Sequence, residues 1–398
     1  MATRVVVQRP FAMRAHRWAR TNLFDGAWSA LLTVVTVGVL GFVVFATARF
    51  VLIDAQWEVV LANRRLIFLG RMTAEDEWRV WPPIWLFAAL AGYSLGAWSR
   101  VGPRGAAASA AAVLLLFALL AQGSNGVRLA FGVALAVAAY ALAHAVLAGG
   151  RREAAGRRAV IAGWALLVPL TLAILLGFDG VPTARLGGFL LNVLLAAVGI
   201  AAALPIGVML ALGRASTLPA VRVAATAYIE VIRGAPLIAW LFIAWFVLPD
   251  FLPPVFNLNR MDLVLRAMLM LSIFTGAYIA EIVRGGLQSV PRGQVEAAQA
   301  LGLGGFETTL RIVLPQALAA VIPALVSQLI SLWKDTTLVS IIGLTDGLGG
   351  AEAAVAQREF FGRHSEVLLF AAAVFWVVAA TMSRLSARLE RRLGVGER

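Results

Sequence analysis

No cysteine occurs among the 398 residues, and only one lysine, Lys334. The first absence excludes disulfides and thiolate metal sites, and it leaves the redox compartment unread. The second excludes a nucleotide-binding P-loop, G-x-x-x-x-G-K-[ST], because Lys334 follows "LISLW". The chain therefore reads as a component that brings no ATPase site of its own. Histidine is nearly absent too. His16, His144 and His364 are scattered, with no H-E-x-x-H spacing and no Ser/His/Asp order, so no metal site and no catalytic residue is assigned. Charge is scarce at 14%, against 61% hydrophobic residues. Soluble domains sit near half apolar. The composition predicts an all-α integral membrane protein, since a chain in lipid must satisfy its own backbone.

What charge there is has a sign. The formal net charge is +13, which raises nucleic acid as a partner. Placement argues for the other explanation, basic loops retained on the cytoplasmic side. About 20 apolar residues cross the hydrocarbon core, and ten stretches qualify: 27–53, 83–99, 106–122, 127–148, 159–177, 187–213, 223–248, 263–284, 317–342 and 365–386. With ten spans and a cytoplasmic N-terminus, the arginines of the opening residues, of "GGRREAAGRR" and of "RLSARLERRLGVGER" all fall inside, with Arg214 and Arg222. The loop 54–82 falls outside. No nucleic acid is needed to explain the basic balance. The first apolar run is long and no small-residue cleavage site follows a short core, so no cleavable signal peptide is expected. The chain divides at about 180 into an alanine-rich five-span half, 1–180, and a second five-span half, 181–398, that holds nearly all the polar motifs. No internal repeat is evident, which weakens an inverted-repeat transporter.

Within one cytoplasmic loop, 285–316, the stretch 291–315 looks soluble: "PRGQVEAAQALGLGGFETTLRIVLP". Pro291 suits a helix start. Glu296 through Leu301 are strong helix formers, and Gly302, Gly304 and Gly305 favour a stop. A second helix is expected from Phe306 to Leu314, limited by Pro315. Ala297, Ala298 and Leu301 are expected to form one small apolar face, suited to docking in a partner's groove.

The spacing Glu296-Ala297-Ala298, Gly302, Ile312, Leu314-Pro315 resembles the EAA signature of ABC importer permeases. "YIEVIRGAPLIAWLF", "AYIAEIVRGGLQSVPRGQVEAAQALGL" and "LISLWKDTTLVSIIGL" look like their polar amino acid and opine branch, over about 187–390. Asn192 stands where that family more often has threonine. "NLFDGAWSALLT" and "AEDEWRVWPPIW" resemble the longer permease subunits of general L-amino-acid uptake systems. The resemblance implies a five-helix permease core in the second half. It implies that Glu296, Ala297, Ala298, Gly302 and Leu303 couple to a cytoplasmic ABC ATPase dimer, which carries the ATP and magnesium. It implies a second permease subunit, a periplasmic amino-acid-binding protein, and the bacterial inner membrane with both termini cytoplasmic. The competing class is an ion-coupled secondary amino acid transporter.

Polar residues inside the spans are the remaining candidates. Lys334 and Asp335 are each costly at a helix centre, by about 2.5–3.5 kcal/mol on insertion scales. They mark a substrate pathway, with Thr336 and Thr337, or else they lie near the outer end of the span and snorkel or pair. A zwitterionic amino acid offers partners for both charges. Glu281 and Arg284, three apart, suit a pair on one helix face; Glu230 and Arg233 repeat the spacing. Both pairs are gating or structural candidates. Gly234-Ala235-Pro236 and Pro205 are expected to kink their helices.

Overall fold

The computed structural model describes residues 18–98, 124–148, 153–177, 179–251 and 261–393. Its described residues are mostly helical, with short turns between helices and no strand among them. By packing the chain forms two units, ending and beginning at Trp57 and Glu58.

In the first unit, α1 (Ala27–Arg49) buries no residue. Val, Leu and Phe cover it on every side, which is what a lipid-facing span needs. A single π turn, Phe50–Asp54, follows, with Arg49 paired to Asp54 at 3.3 Å.

The second unit opens with two short helices, α2 (Glu58–Ala62) and α3 (Arg64–Leu69). The helices α4 (Trp81–Trp98) and α5 (Ser124–Ala148) then run parallel. Gly92 and Gly96, four apart, bring α4 against the backbone of Ala136 and Tyr140. Lipid gives no hydrophobic drive between helices, so small residues that permit this approach decide where they pack. Trp85 stacks edge-on against Phe131, and its indole donates to the Arg128 carbonyl at 2.9 Å. The next helix, α6 (Glu153–Leu176), is antiparallel to α4: Gly163 meets Leu90, and the Trp164 indole donates to Ser94 at 2.9 Å. Arg79 closes its far end, donating to the carbonyls of Ile174 and Gly177 at 2.9 and 3.2 Å.

The core is built on α7 (Gly188–Arg214), which passes through Pro205 as one helix. After it, α8 (Pro219–Arg233) and α9 (Leu237–Phe242) meet at a 100° bend over Gly234–Pro236, as the sequence predicts. The Trp240 indole donates to the Ile232 carbonyl at 3.0 Å and covers a backbone group the break exposes. A π turn at Ile243–Val247 leads to α10 (Leu248–Phe251). Arg266 donates to the Ala244 and Trp245 carbonyls, both at 3.0 Å. Then α11 (Leu263–Ser289) runs parallel to α7: Gly207 lies against Ile279 and Gly276 against Ile206. Leu191, Leu195, Leu271, Ile279 and Leu332 are sealed in the interior.

The stretch "PRGQVEAAQALGLGGFETTLRIVLP" forms α12 (Arg292–Ala300), a turn, and α13 (Gly305–Thr308). A π turn at Thr309–Val313 joins α13 to α14 (Leu314–Asp335), which extends as a 3₁₀ helix to Ile342. The expected second helix is therefore not separate. It opens a helical run of 38 residues, Gly305–Ile342. Pro315 does not stop it, because the widened π turn before it accommodates the missing N–H. This run is antiparallel to α11, with Gly286 against Ala317 and Val321. It ends at Gly343, whose φ of +87° is left-handed. The short α15 (Gly347–Val355) and the long α16 (His364–Leu393) complete the chain.

Among the described residues eight helices are long and apolar enough to cross a membrane, or nine with the bent α8–α9 pair as one span. These match nine of the ten expected stretches. The tenth, 106–122, lies outside the described residues.

The segment 58–72 is bolted to the start of α7. Gly70, at φ +68°, lies so close to Gly187 that a Cβ on either would enter the other's backbone. Phe68 packs on Phe189 with centroids 5.5 Å apart, and Gln357 donates to Asn63 at 2.7 Å.

Candidate functional site

The polar groups of the core gather in three places: the loop at one end, a charge cluster beside it, and the far end around residues 334–346.

In the loop, Pro291 precedes α12 and Gly302 ends it. The Leu301, Gly302 and Leu303 amides donate to the carbonyls of Ala297, Gln299 and Ala298 at 3.1, 2.9 and 3.1 Å. Gly302 has φ +82°, and a Cβ there would meet no atom within 4 Å. Glycine is needed for backbone conformation and not for space. Glu296, Ala297 and Gly302 are exposed, and Leu303 is half-buried. The expected apolar face is divided. Ala298 turns inward and is buried, while Leu301 is 84% exposed. The exposed surface is instead Leu301 with Phe306, 78% exposed, and Leu310. A helix of 3.6 residues per turn separates 297 from 298 by about 100°, so adjacent alanines cannot share one side. Arg311 and Glu307 pair at 3.2 Å across one turn.

Beside the loop, Glu281 is the hub of five charges. It accepts from Arg284 at 2.8 and 3.0 Å, as the spacing predicts. It also accepts from Arg214 at 2.5 Å, with Arg233 at 3.8 Å. The expected Glu230–Arg233 pair is not formed. Glu230 binds Arg214 at 3.0 Å, and Arg233 lies over the Tyr278 ring at 5.3 Å. At the end of α8 these side chains are drawn across to α7 and α11 instead of along their own helix. Glu281 is 17% exposed, and three arginines face two carboxylates, so the cluster ties three helix ends together with one spare positive charge. Arg214 was not singled out by the sequence; its only signal is a basic residue closing an apolar run.

At the far end, α14 changes to 3₁₀ geometry at the "KDTT" residues. Lys334 is exposed and Asp335 half-buried, and neither side chain has a hydrogen-bond or ion-pair partner among the described residues. Thr337 donates to the Lys334 carbonyl at 2.8 Å. Thr336 turns the other way. Fully buried, it donates to the Trp333 carbonyl at 2.7 Å and accepts from Asn192 at 3.0 Å. Asn192 also donates to Asp346 at 2.9 Å and accepts from the Gly347 amide at 2.8 Å. Asp346 caps α15 by accepting from Gly349 at 2.9 Å. Asn192 and Asp346 are both fully buried. Burial pushes the Asp346 carboxyl up; the bonds from Asn192 and the Gly349 and Leu348 amides pull it down, and nearby Glu352 raises it further. The sequence noted Asn192 only as a departure, and the Asp346 cap only becomes visible once α7 and α15 meet. No group of three or more metal-ligating side chains occurs among the described residues.

The sequence has counterparts in known proteins. Residues 203–395 match the family described as binding-protein-dependent transport system inner membrane component. The chain is 44% identical over 241 residues to the inner membrane amino-acid ABC transporter permease protein YhdY of Escherichia coli (strain K12), covering 59% of this chain and 65% of that relative. It is 34% identical over 427 residues to the glutamate/glutamine/aspartate/asparagine transport system permease protein BztC of Rhodobacter capsulatus, covering 95% of this chain and 94% of that one. A solved structure described as an amino acid ABC transporter with histidines aligns at 30% identity and a TM-score of 0.46, over 52% of this chain and 92% of the other. The competing reading, an ion-coupled secondary transporter, finds no support among these relatives. With one relative matched nearly end to end, the chain belongs to the inner membrane components of binding-protein-dependent transport systems, the permease subunits of ABC transporters.

Proposed function

We propose that the chain is a permease subunit of an ATP-driven amino acid importer, working by alternating access. The observation that carries this is the exposed α12 with its Gly302 stop, Leu301 and Phe306 standing out from the core. A surface so apolar at the end of a span calls for a protein partner. The partner is a dimer of cytoplasmic ABC ATPases, which holds the ATP and magnesium, and Glu296, Ala297, Ala298, Gly302 and Leu303 form its seat. ATP binding closes the ATPases, drags this loop and turns the cavity outward toward a loaded periplasmic binding protein; hydrolysis resets it. A second permease subunit completes the pathway as a heterodimer.

The ten-span arrangement, which puts both termini on one side, is supported by helix direction, and the placement of the arginines supports the cytoplasm as that side. Its second and fourth members, α4 and α5, are parallel, and so are its sixth and eighth, α7 and α11. In this arrangement 1–180 is a five-span extension and 181–398 the transport core. The relatives are named for amino acids, and Lys334 and Asp335, whose side chains make no hydrogen bond or ion pair among the described residues, offer one charge for each end of a zwitterion. Thr337 lies beside them, and Thr336 positions them through Asn192. The Arg214–Glu230–Arg233–Glu281–Arg284 cluster holds the cytoplasmic gate.

Co-purification tests the reading. The tagged chain should bring down a P-loop ATPase, and the complex in liposomes should take up radiolabelled L-glutamate or L-glutamine only with ATP and binding protein. Uptake driven by an ion gradient without any ATPase would refute it.

A further inference from the structure

A cavity of 230 Å³ opens at the far end of the core, away from the coupling loop. Arg71, Thr183 and Asp262 line it, with Gly187, Leu344 and Thr345. These residues come from four separate stretches, each fixed where it stands. Arg71 follows Gly70, whose contact with Gly187 leaves no space for a side chain at either position. The Gly188 amide donates to the Thr345 carbonyl at 2.8 Å, which holds the 343–345 turn against the start of α7. Thr183 donates to Asp262, the residue that precedes α11.

The charges in this cavity are opposite and are kept apart. Arg71 and Asp262 both line it yet form no ion pair, and Arg71 has no partner among the described residues. Two opposite charges on one small cavity wall gain by closing on each other when they serve only the fold. Here the hydroxyl of Thr183 holds Asp262, and the Gly70–Gly187 contact fixes the backbone from which Arg71 extends. A guanidinium binds a carboxylate through two parallel hydrogen bonds, and an ionised carboxylate accepts from an ammonium.

We propose that this cavity is an outer entry site for an α-amino acid, in which Arg71 takes the carboxylate and Asp262, with Thr183, takes the ammonium. The site rests on the importer reading above and adds to it. It lies outside the span that carries Lys334 and Asp335, and one of its two charges comes from the 58–80 segment. That segment thereby acquires a task in capture, as a wall of the entrance.

Because the chain has no native cysteine, one can be placed at the exposed cavity residue Ala184. The complete complex, carrying Ala184→Cys, is labelled from outside with an impermeant maleimide. L-glutamine at five times its half-protecting concentration should slow labelling by about sixfold. Glutamine N-acetylated at the α-amine, or amidated at the α-carboxyl, should not. Arg71→Gln or Asp262→Asn, each at normal assembly level, should abolish protection while basal ATPase activity persists. Where either variant fails to assemble, the analogue series in the parent still decides. If no amino acid that the complex transports protects Cys at 184, the entry site is refuted and the importer reading stands. If the complex transports no amino acid at all, the importer reading itself fails. Equal protection by the blocked analogues would refute the charge assignment.

Discussion

Replacing Asn192 with leucine removes three hydrogen bonds at once from a fully buried site. The shape is nearly kept, so packing changes little. Thr336 and the Gly347 amide each lose one partner, and Asp346 loses its only side-chain donor. A buried neutral group left unsatisfied costs about 1–3 kcal/mol. A buried carboxylate stripped of its partner costs about 3–5 kcal/mol if it stays ionised. It does not have to stay ionised. The Asp346 carboxyl already sits above its ordinary value through burial, and Asn192 is the largest influence pulling it down. Without Asn192 it rises further. A carboxyl raised in the folded state contributes stability below its unfolded pKa and loses it as pH climbs through the folded pKa. The variant loses this contribution over a wider range, so its deficit against the parent is largest at neutral pH and shrinks as pH falls toward the ordinary aspartate value. Thermal unfolding of the purified complex, followed by tryptophan fluorescence across pH 5–8, reads this out. Asn192→Asp should be worse than leucine at neutral pH, since two carboxylates would then face each other, and should recover more on acidification. An Asn192→Leu complex as stable as the parent at pH 7.5, or a deficit unchanged at pH 5, would refute the reasoning.

Four further outcomes are expected. Glu296→Arg or Gly302→Asp should block uptake by weakening ATPase docking while the chain still inserts, and Gly302→Ala should cost about 1–2 kcal/mol in loop conformation alone; uptake and ATPase co-purification per inserted chain are the measures. Glu281→Gln leaves three arginines facing Glu230, and should lower assembly or raise uncoupled ATP hydrolysis; unchanged values for both would remove the cluster from the gate. A cysteine introduced at position 154 should resist an impermeant reagent added outside, and labelling there would overturn the ten-span orientation. Asp335→Asn should reduce uptake per assembled complex with basal ATPase activity retained, whereas lower assembly with normal uptake per complex would make Asp335 structural.

Much of the architecture was legible because lipid allows so few solutions. Nine of the expected spans follow from apolar length, and the 100° bend follows from Gly234-Ala235-Pro236. Glu281–Arg284 follows from spacing on one helix. The misses share a cause. Pro315 reads as a stop only if the preceding turn is α-helical, and a π turn cannot be seen in the order of residues. Glu230 and Arg233 have the right spacing for each other, but the sequence does not show that Arg214 arrives from another helix. Asn192, Thr336 and Asp346 lie 144 and 10 residues apart, and only helix packing brings them into one network. Gly70 looks like an ordinary loop glycine until Gly187 is placed against it.

The 38-residue run from Gly305 to Ile342 has a mechanical consequence. At about 1.5 Å per residue it is a rod of roughly 57 Å, with the apolar Phe306 at one end and Lys334 and Asp335 close to the other. A rod has no slack. A tilt of about 10° around its midpoint displaces each end by about 5 Å in opposite senses, close to one helical turn. A push at the Phe306 end would thus arrive at the Lys334 end as a pull, along one continuous helical run. Its timing needs no relay of side chains between the two ends.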